Sequence, residues 1–353
     1  MTKPTRLNFC SDNVTGAAPE ILAALAAANA GTASGYGSDP WSERLTARAS
    51  ELFERECAIL PVTTGTASNA LALALLAPPH GAVYCHETAH VMTDECGAPE
   101  FYAAGAKLLT LPGPLGKLQP ASIAASMAFI RTMGVHHVQP AAVTVSQTTE
   151  WGTVYALDEL EALGRVAHEH GLALHMDGAR FANALARLGC SPAEATWKRG
   201  VDVLSLGATK NGALAAEAIV LFDPKRAEEL AFRRKRGGHL WSKMRFLSAQ
   251  LLAYFEGDLW LRHARNANAL ATRLSGGLVG LGARLLAPTD ANEVFVALPA
   301  AAIAGLRQDG YDFYDWIAPP GQSGPAIRLV TAYDMVAADV EALLAAAKRR
   351  LGA

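Results

Sequence analysis

The sequence predicts an α/β protein: a mostly parallel seven-stranded sheet with helices on both faces, followed by a smaller α+β domain. From Cys57 to about Val220, short apolar runs alternate with stretches of helical period, the pattern of strand-helix units whose parallel strands are covered on both faces. After about residue 255 that order stops, and a long helix precedes shorter strands and helices of an α+β layout. The length agrees. A chain of 353 residues, 51% hydrophobic and 18% charged, exceeds one compact core and is too apolar to stay disordered. The two units are placed at 1–254 and 255–353.

Residues 1 to 16 read as extended and irregular, and a helix is expected from about Pro19 to Asn29. GTASGYGSDPW, with three glycines and a proline, separates it from a helix at about Ser42 to Arg55. The seven strands are CAILPVT, AVYCHE, KLLTL, AAVTVSQ, LALHMD, VDVLSLG and AIVLF, with helices among them at about 65–77, 119–133, 156–169 and 178–188. The smaller unit reads as a helix through LWLRHARNANALATRLSGGL, the strand NEVFVALP, a helix, the strands YDFYDWI and AIRLVTA, and a last helix through VEALLAAAKRRL.

A formal charge of −2 gives no general affinity for nucleic acid or acidic membranes, and the short basic cluster Arg233 to Arg236 reads as a solvated helix face. Five scattered cysteines, Cys10, Cys57, Cys85, Cys96 and Cys190, include no CxxC pair, so neither zinc nor a disulfide framework is expected. No apolar run reaches the ~18 residues that span a bilayer, and the first residues lack a signal-peptide core. The expectation is a soluble cytoplasmic protein without a metal.

Chemistry concentrates between His175 and Lys210. There one strand ends at Asp177 and the next leads into Lys210, and open α/β sheets bind ligands beyond the carboxyl ends of their strands. A lysine that reacts as an amine and an acid that keeps a ring nitrogen protonated are what pyridoxal phosphate asks of a protein. Either residue alone is ordinary; the pair is the signal. TTGTASNALALALL, residues 63–76, turns into an apolar helix whose first N–H groups suit a phosphate, with Gly65 permitting close approach and Thr66 adding a hydroxyl. A plain N-capped helix fits it as well. It is neither a dinucleotide fingerprint nor a P-loop.

His86 to His90 matches HExxH literally, yet it follows a strand directly and has no third ligand in view, which disfavours zinc. His90 is then a candidate to stack on a flat ring or handle a proton, or a satisfied structural histidine. Arg180 is a candidate for a phosphate or a substrate carboxylate, and Arg328, on an apolar strand, for a carboxylate or an ordinary ion pair.

SDN at 11–13, YGSDPW at 36–41, GTASNALAL at 65–73, ETAHVMTDECGAPE at 87–100, HMDGARFANA at 175–184 and SLGATKNG at 205–212 resemble the low-specificity L-threonine aldolases. The chain is most similar to their phenylserine aldolase-like branch, and the likeness covers nearly its whole length. The resemblance implies the aspartate aminotransferase-like fold type I, pyridoxal 5′-phosphate near a subunit interface, and a homodimer or homotetramer. It implies reversible cleavage of threonine-type or phenylserine-type β-hydroxy-α-amino acids to glycine and an aldehyde. An aminotransferase, a β-eliminating lyase or a non-catalytic cofactor-binding protein are the alternatives.

By the same resemblance Lys210 holds the cofactor covalently, Asp177 partners the ring nitrogen, and His90 stacks on the ring and leads as the general base. Gly65, Thr66 and Ala67 cradle the phosphate, with Arg180 as a further cofactor contact. Ser11, Arg180 and Arg328 meet the substrate carboxylate, and Tyr36 enters from the interface loop. SQTTEWG, residues 146–152, departs from the family pattern in lacking a histidine, which leaves the role of Thr149 or Glu150 open. A phosphate-binding arginine from the neighbouring subunit has two possible counterparts, Lys243 and Arg245.

Overall fold

The structure, a computed structural model, describes residues 7–318 and 324–352. Its large sheet contains β1 (Ala58–Val62), β2 (Gly81–His86), β3 (Lys107–Leu111), β4 (Gln139–Ser146), β5 (Ala173–Gly178), β6 (Val203–Gly207) and β7 (Glu217–Leu221). They lie in the order β1-β7-β6-β5-β4-β2-β3. The strands from β6 to β3 run parallel, whereas β7 is antiparallel to both neighbours. The link from β6 to β7 explains the reversal: a parallel return takes a dozen or more residues, and this link holds only a 3-10 turn, Thr209–Asn211. Lys210 sits in that turn. All seven strands, and the mostly parallel sheet, are those the sequence predicts.

Helices at Gly65–Leu76, Pro120–Met133, Leu157–Glu169 and Phe181–Leu188 connect the strands, close to the expected spans. Leu157–Glu169 buries Leu160, Leu163, Gly164 and Ala167 on one stripe at the spacing of a surface helix. Gly65–Leu76 is buried continuously from Ala67 to Leu75, because it lies between the sheet and two helices: Ala98–Tyr102, which sequence reasoning missed, and Ala227–Arg236, of which it read only the basic end as helical. The basic cluster ends the second of these, where cations complement the helix dipole. One member departs from the expected solvated face: Arg234 is buried and donates to Pro61 O at 3.2 Å.

A small antiparallel sheet follows: β8 (Arg284–Leu285), β9 (Glu293–Ala297), β10 (Tyr314–Trp316) and β11 (Ala326–Val330), ordered β10-β11-β9-β8. YDFYDWI does not form one strand. Tyr314–Trp316 pairs with β11, while Tyr311–Asp312 pairs in parallel with Leu7–Asn8, and the intervening Phe313 turns into the core. The expected irregular start is therefore tied down at residues 7–9, its first six residues lying outside those described. Phe9 is fully buried with Val294, Ile327 and Leu329. This anchor carries Cys10 to Asp12 to the face of the small sheet. The long helix Leu259–Gly280 serves both cores, giving Leu259, Trp260 and Ala264 to the larger and Leu270, Ala271 and Leu274 to the smaller.

Gly207, at the end of β6, shows how tightly the site's strands meet. A Cβ there would lie 2.4 Å from Ala179 O, so only glycine lets the loop after β5 pass over the end of β6. Among the described residues no helix is long and apolar enough to cross a membrane.

Candidate active site

The carboxyl ends of β2, β4, β5 and β6 open onto a cleft of about 1150 Å³. Ser11, Gly65, His90, Asp177, Arg180, Lys210 and Arg328, all singled out from the sequence, line it. Asn69, Ser146, Glu150, Trp151, Glu293 and Trp316 line it too.

Asp177 is buried at the end of β5; Oδ1 accepts the N–H of Ala179 at 3.0 Å and Oδ2 accepts Asn69 Nδ2 at 2.8 Å. The same amide nitrogen donates to Glu95 Oε1 at 2.8 Å, and Glu95 Oε1 meets His90 Nδ1 at 2.9 Å. His90, Glu95, Asn69 and Asp177 thus form one hydrogen-bonded line. The bond to Glu95 holds the imidazole pKa above its ordinary value, while burial raises that of Glu95. Sequence reasoning missed Asn69 and Glu95, although a lone asparagine inside an apolar helix was a signal, since buried amides need partners. His86, by contrast, spends its two ring nitrogens on Thr88 Oγ1 at 2.8 Å and Gly113 O at 3.0 Å. It ends a strand while His90 opens a separate short helix, so the pair does not share the single helix that HExxH requires.

Arg180 lies just beyond β5 and makes a two-pronged contact with Asp12, Nε to Oδ2 at 2.7 Å and Nη2 to Oδ1 at 3.0 Å. Asn292 Nδ2 adds a third donor to Asp12 at 3.0 Å. Burial works to raise the Asp12 carboxyl, but the charges of Arg180 and Lys210 and these hydrogen bonds outweigh it and hold the pKa low. Glu293 stands between the arginines, 3.5 Å from Arg180 Nη1 and 3.7 Å from Arg328 Nη1. Arg328 also donates to Cys10 O at 3.1 Å and lies over Trp316 at 4.8 Å, while its buried Nε has no hydrogen-bond partner among the described residues. Ser11 caps the short turn Asp12–Val14 through the N–H of Asn13 at 3.2 Å.

At the other end of the cleft, Gly65 opens the helix Gly65–Leu76, and a Cβ there would meet nothing within 4 Å. Thr64 is the N-cap; its Oγ1 accepts the N–H of Ala67 at 3.1 Å, leaving the first-turn N–H groups of Gly65 and Thr66 for a ligand. Thr66 and Ala67 do not line the cleft. Neither does Tyr36, which is 54% exposed with Lys235 Nζ 4.9 Å from its ring. Lys243 is exposed and Arg245 packs over Phe246 and Trp41, also away from the cleft. Thr149 Oγ1 is committed to Leu115 O and Thr153 Oγ1, so it fixes its own turn. Glu150 faces the cleft beside it.

Pyridoxal phosphate fits these residues: the open space beside Gly65 suits a phosphate, Asp177 is a held carboxylate, Lys210 enters the same cleft, and a buried guanidinium nitrogen awaits an anion. Fold and site together define a fold type I pyridoxal-phosphate enzyme. The sequence profile of the beta-eliminating lyases matches residues 8–301. The chain belongs to that family and, within it, to the low-specificity L-threonine aldolases. It is 45% identical over 346 residues to the low specificity L-threonine aldolase of Pseudomonas sp. strain NCIMB 10558, covering 96% of this chain and 98% of the other. It is 47% identical over 322 residues to that of Pseudomonas aeruginosa, covering 91% and 92%. The solved structure of a threonine aldolase from Leishmania major superposes with a TM-score of 0.91 at 32% identity, covering 98% and 99%. The chain is accordingly a carbon-carbon lyase with pyridoxal phosphate as cofactor.

Proposed function

We propose that the cleft cleaves L-threonine and related β-hydroxy-α-amino acids, phenyl-bearing ones included, to glycine and an aldehyde, reversibly. The convergence of Lys210, Asp177 and two arginines in one cleft carries this reading. The cofactor, when bound, supplies the electron sink that breaking a bond at Cα requires. Lys210 holds it through its amine, Asp177 keeps the ring nitrogen protonated, and His90 covers the ring. The first turn of Gly65–Leu76 takes the phosphate, where N–H groups and helix dipole favour an anion. Arg328, Arg180 and Ser11 hold the substrate carboxylate and so fix which bond at Cα is aligned to break. An aromatic wall of Trp151, Tyr314 and Trp316 supports acceptance of an aromatic group on Cβ.

Tyr36 and one of Lys243 or Arg245 complete the site of a neighbouring copy in a homodimer or homotetramer. Exposed Tyr36, Leu214, Phe232 and Trp241 support such assembly. Residues 1–254 then carry the cofactor and 255–353 form the smaller domain, and free cysteines suit the cytoplasm. Incubating purified protein with L-threonine or phenylserine should yield glycine and aldehyde in equal amounts; a keto acid instead would indicate an aminotransferase or an eliminating lyase. Lys210→Ala should abolish both turnover and the protein-bound cofactor absorbance. Retention of both would make the assignment wrong.

A further inference from the structure

We propose that Glu150 is a catalytic residue of the aldol step, its Oε2 taking the proton of the substrate β-hydroxyl as the Cα–Cβ bond breaks and returning it in the synthetic direction. This rests on the aldolase reading above. The β-hydroxyl O–H bond breaks with its proton passing to Oε2. The freed pair forms the aldehyde C=O, and the Cα–Cβ pair stays with Cα, drawn by the cofactor's electron sink, so no oxidant or reductant is needed.

The Glu150 carboxyl is held at one oxygen and open at the other. Glu150 Oε1 accepts Ser146 Oγ at 2.6 Å and the N–H of His90 at 2.8 Å, which fixes the group from two sides. Oε2 is buried with no hydrogen-bond partner among the described residues, on a side chain that lines the cleft. A buried acceptor left open is costly unless a ligand supplies the donor. Glu293 also has an Oε2 without a hydrogen bond, but that carboxylate stands between two guanidinium groups, 3.5 Å from Arg180 and 3.7 Å from Arg328. His90 commits Nδ1 to Glu95, a bond that raises its pKa, and in the reading above its ring is given to covering the cofactor. Both oxygens of Asp177 already accept, and Lys210 is needed for the cofactor. Glu87, Asp94 and Asp315 line the cleft but are exposed to solvent.

The titration of Glu150 suits the task. The charged and titratable groups facing it are Cys85 on β2, His90, Tyr155, Asp177 on β5 and Arg180. Burial, aided by the charge of Asp177, outweighs the bonds from Ser146 and His90 and pushes its pKa up to about 7. A general base works best with a pKa near the working pH.

The test compares wild type, Glu150→Gln and Glu150→Asp as cofactor-loaded enzymes on L-threonine. Glu150→Gln should lose about 10²- to 10⁴-fold in kcat, with KM, cofactor affinity and cofactor absorbance little changed, and the rise of kcat through neutral pH should vanish. A second reading needs no turnover: between mildly acid and mildly alkaline pH, wild type should lose resistance to urea relative to Glu150→Gln, since only wild type must ionise a buried carboxyl. A Gln variant with wild-type kcat and pH profile overturns the proposal. If Gln prevents folding or cofactor uptake, Glu150→Asp decides. Reduced kcat with a displaced pH profile supports the role, and an unchanged profile overturns it. An inactive wild type would overturn the aldolase reading as well, whereas an active wild type beside an indifferent Gln variant overturns Glu150 alone.

Discussion

Asn69 does in one side chain what two would normally do: a single amide nitrogen serves Asp177 and Glu95, carboxylates 108 and 26 residues away in sequence. Without it, two buried carboxyl groups face each other with no donor between them. Asn69→Ala should cost on the order of 2–3 kcal/mol in urea unfolding and weaken cofactor retention, because two buried acids each lose the amide N–H donor that they share. Unchanged unfolding and unchanged cofactor dissociation would refute that bridging role. Asp12 poses the same question for Arg180. Truncating it removes the two-pronged partner and leaves the buried guanidinium only Glu293, 3.5 Å away, so Asp12→Ala should destabilise by about 3 kcal/mol in urea unfolding, the low end for a half-removed buried ion pair. Lys210 and Asp177 were legible in the sequence because each stands where an apolar run ends. Asp12, Glu95 and Glu293 were not, since their meaning lies in partners that the chain brings together from far away; Asp12 and Arg180 are 168 residues apart.

At the scale of elements, the helix Gly65–Leu76 illustrates how a local pattern can be right about position and incomplete about detail. Its start follows from Gly and Thr before an apolar run, and its end at Leu76 is one residue from the expected one. The cap proved to be Thr64, which takes up the N–H of Ala67. Gly65 is required neither by a positive φ nor by crowding, so its use must lie in what approaches from the cleft. Gly65→Ala should therefore leave urea stability unchanged or slightly higher, as helix propensity favours alanine by up to about 1 kcal/mol, while cofactor affinity falls. Equal affinity in the two proteins would count against a phosphate at this turn. The seven strands were readable because each is a short apolar run bounded by turn residues. YDFYDWI misled because its two halves pair with different strands, one of them near the N-terminus, and alternation cannot report a partner. The five-residue helix Ala98–Tyr102 is too short to show a period.

For the molecule as a whole, the site and the fold share buried titratable groups. Glu217 opens β7 and turns its oxygens toward the N–H groups of Ala208 at 3.2 Å and Thr209 at 3.3 Å, the turn that presents Lys210. Burial raises its pKa from 4.5 to about 7, against the opposing hydrogen bonds from Thr209 and the charge of Lys210. The native state therefore keeps a proton that the unfolded chain releases. This contribution to stability is fully present below about pH 4.5 and disappears as pH rises through 7. His175, between Thr144 Oγ1 and Ser205 Oγ, acts in the opposite sense: burial lowers its pKa from 6.5 to about 4, so stability falls as acid protonates the unfolded chain first. The two slopes oppose each other in wild type, and subtracting wild type from Glu217→Gln isolates the first. The stability difference in favour of the variant should grow between about pH 5 and 7, by at most about 1.4 kcal/mol per pH unit, on top of a constant cost for placing an amide before two N–H donors. Urea unfolding across that range decides it; a difference that stays level with pH means that Glu217 is ionised in the native protein and holds the Lys210 turn as a carboxylate.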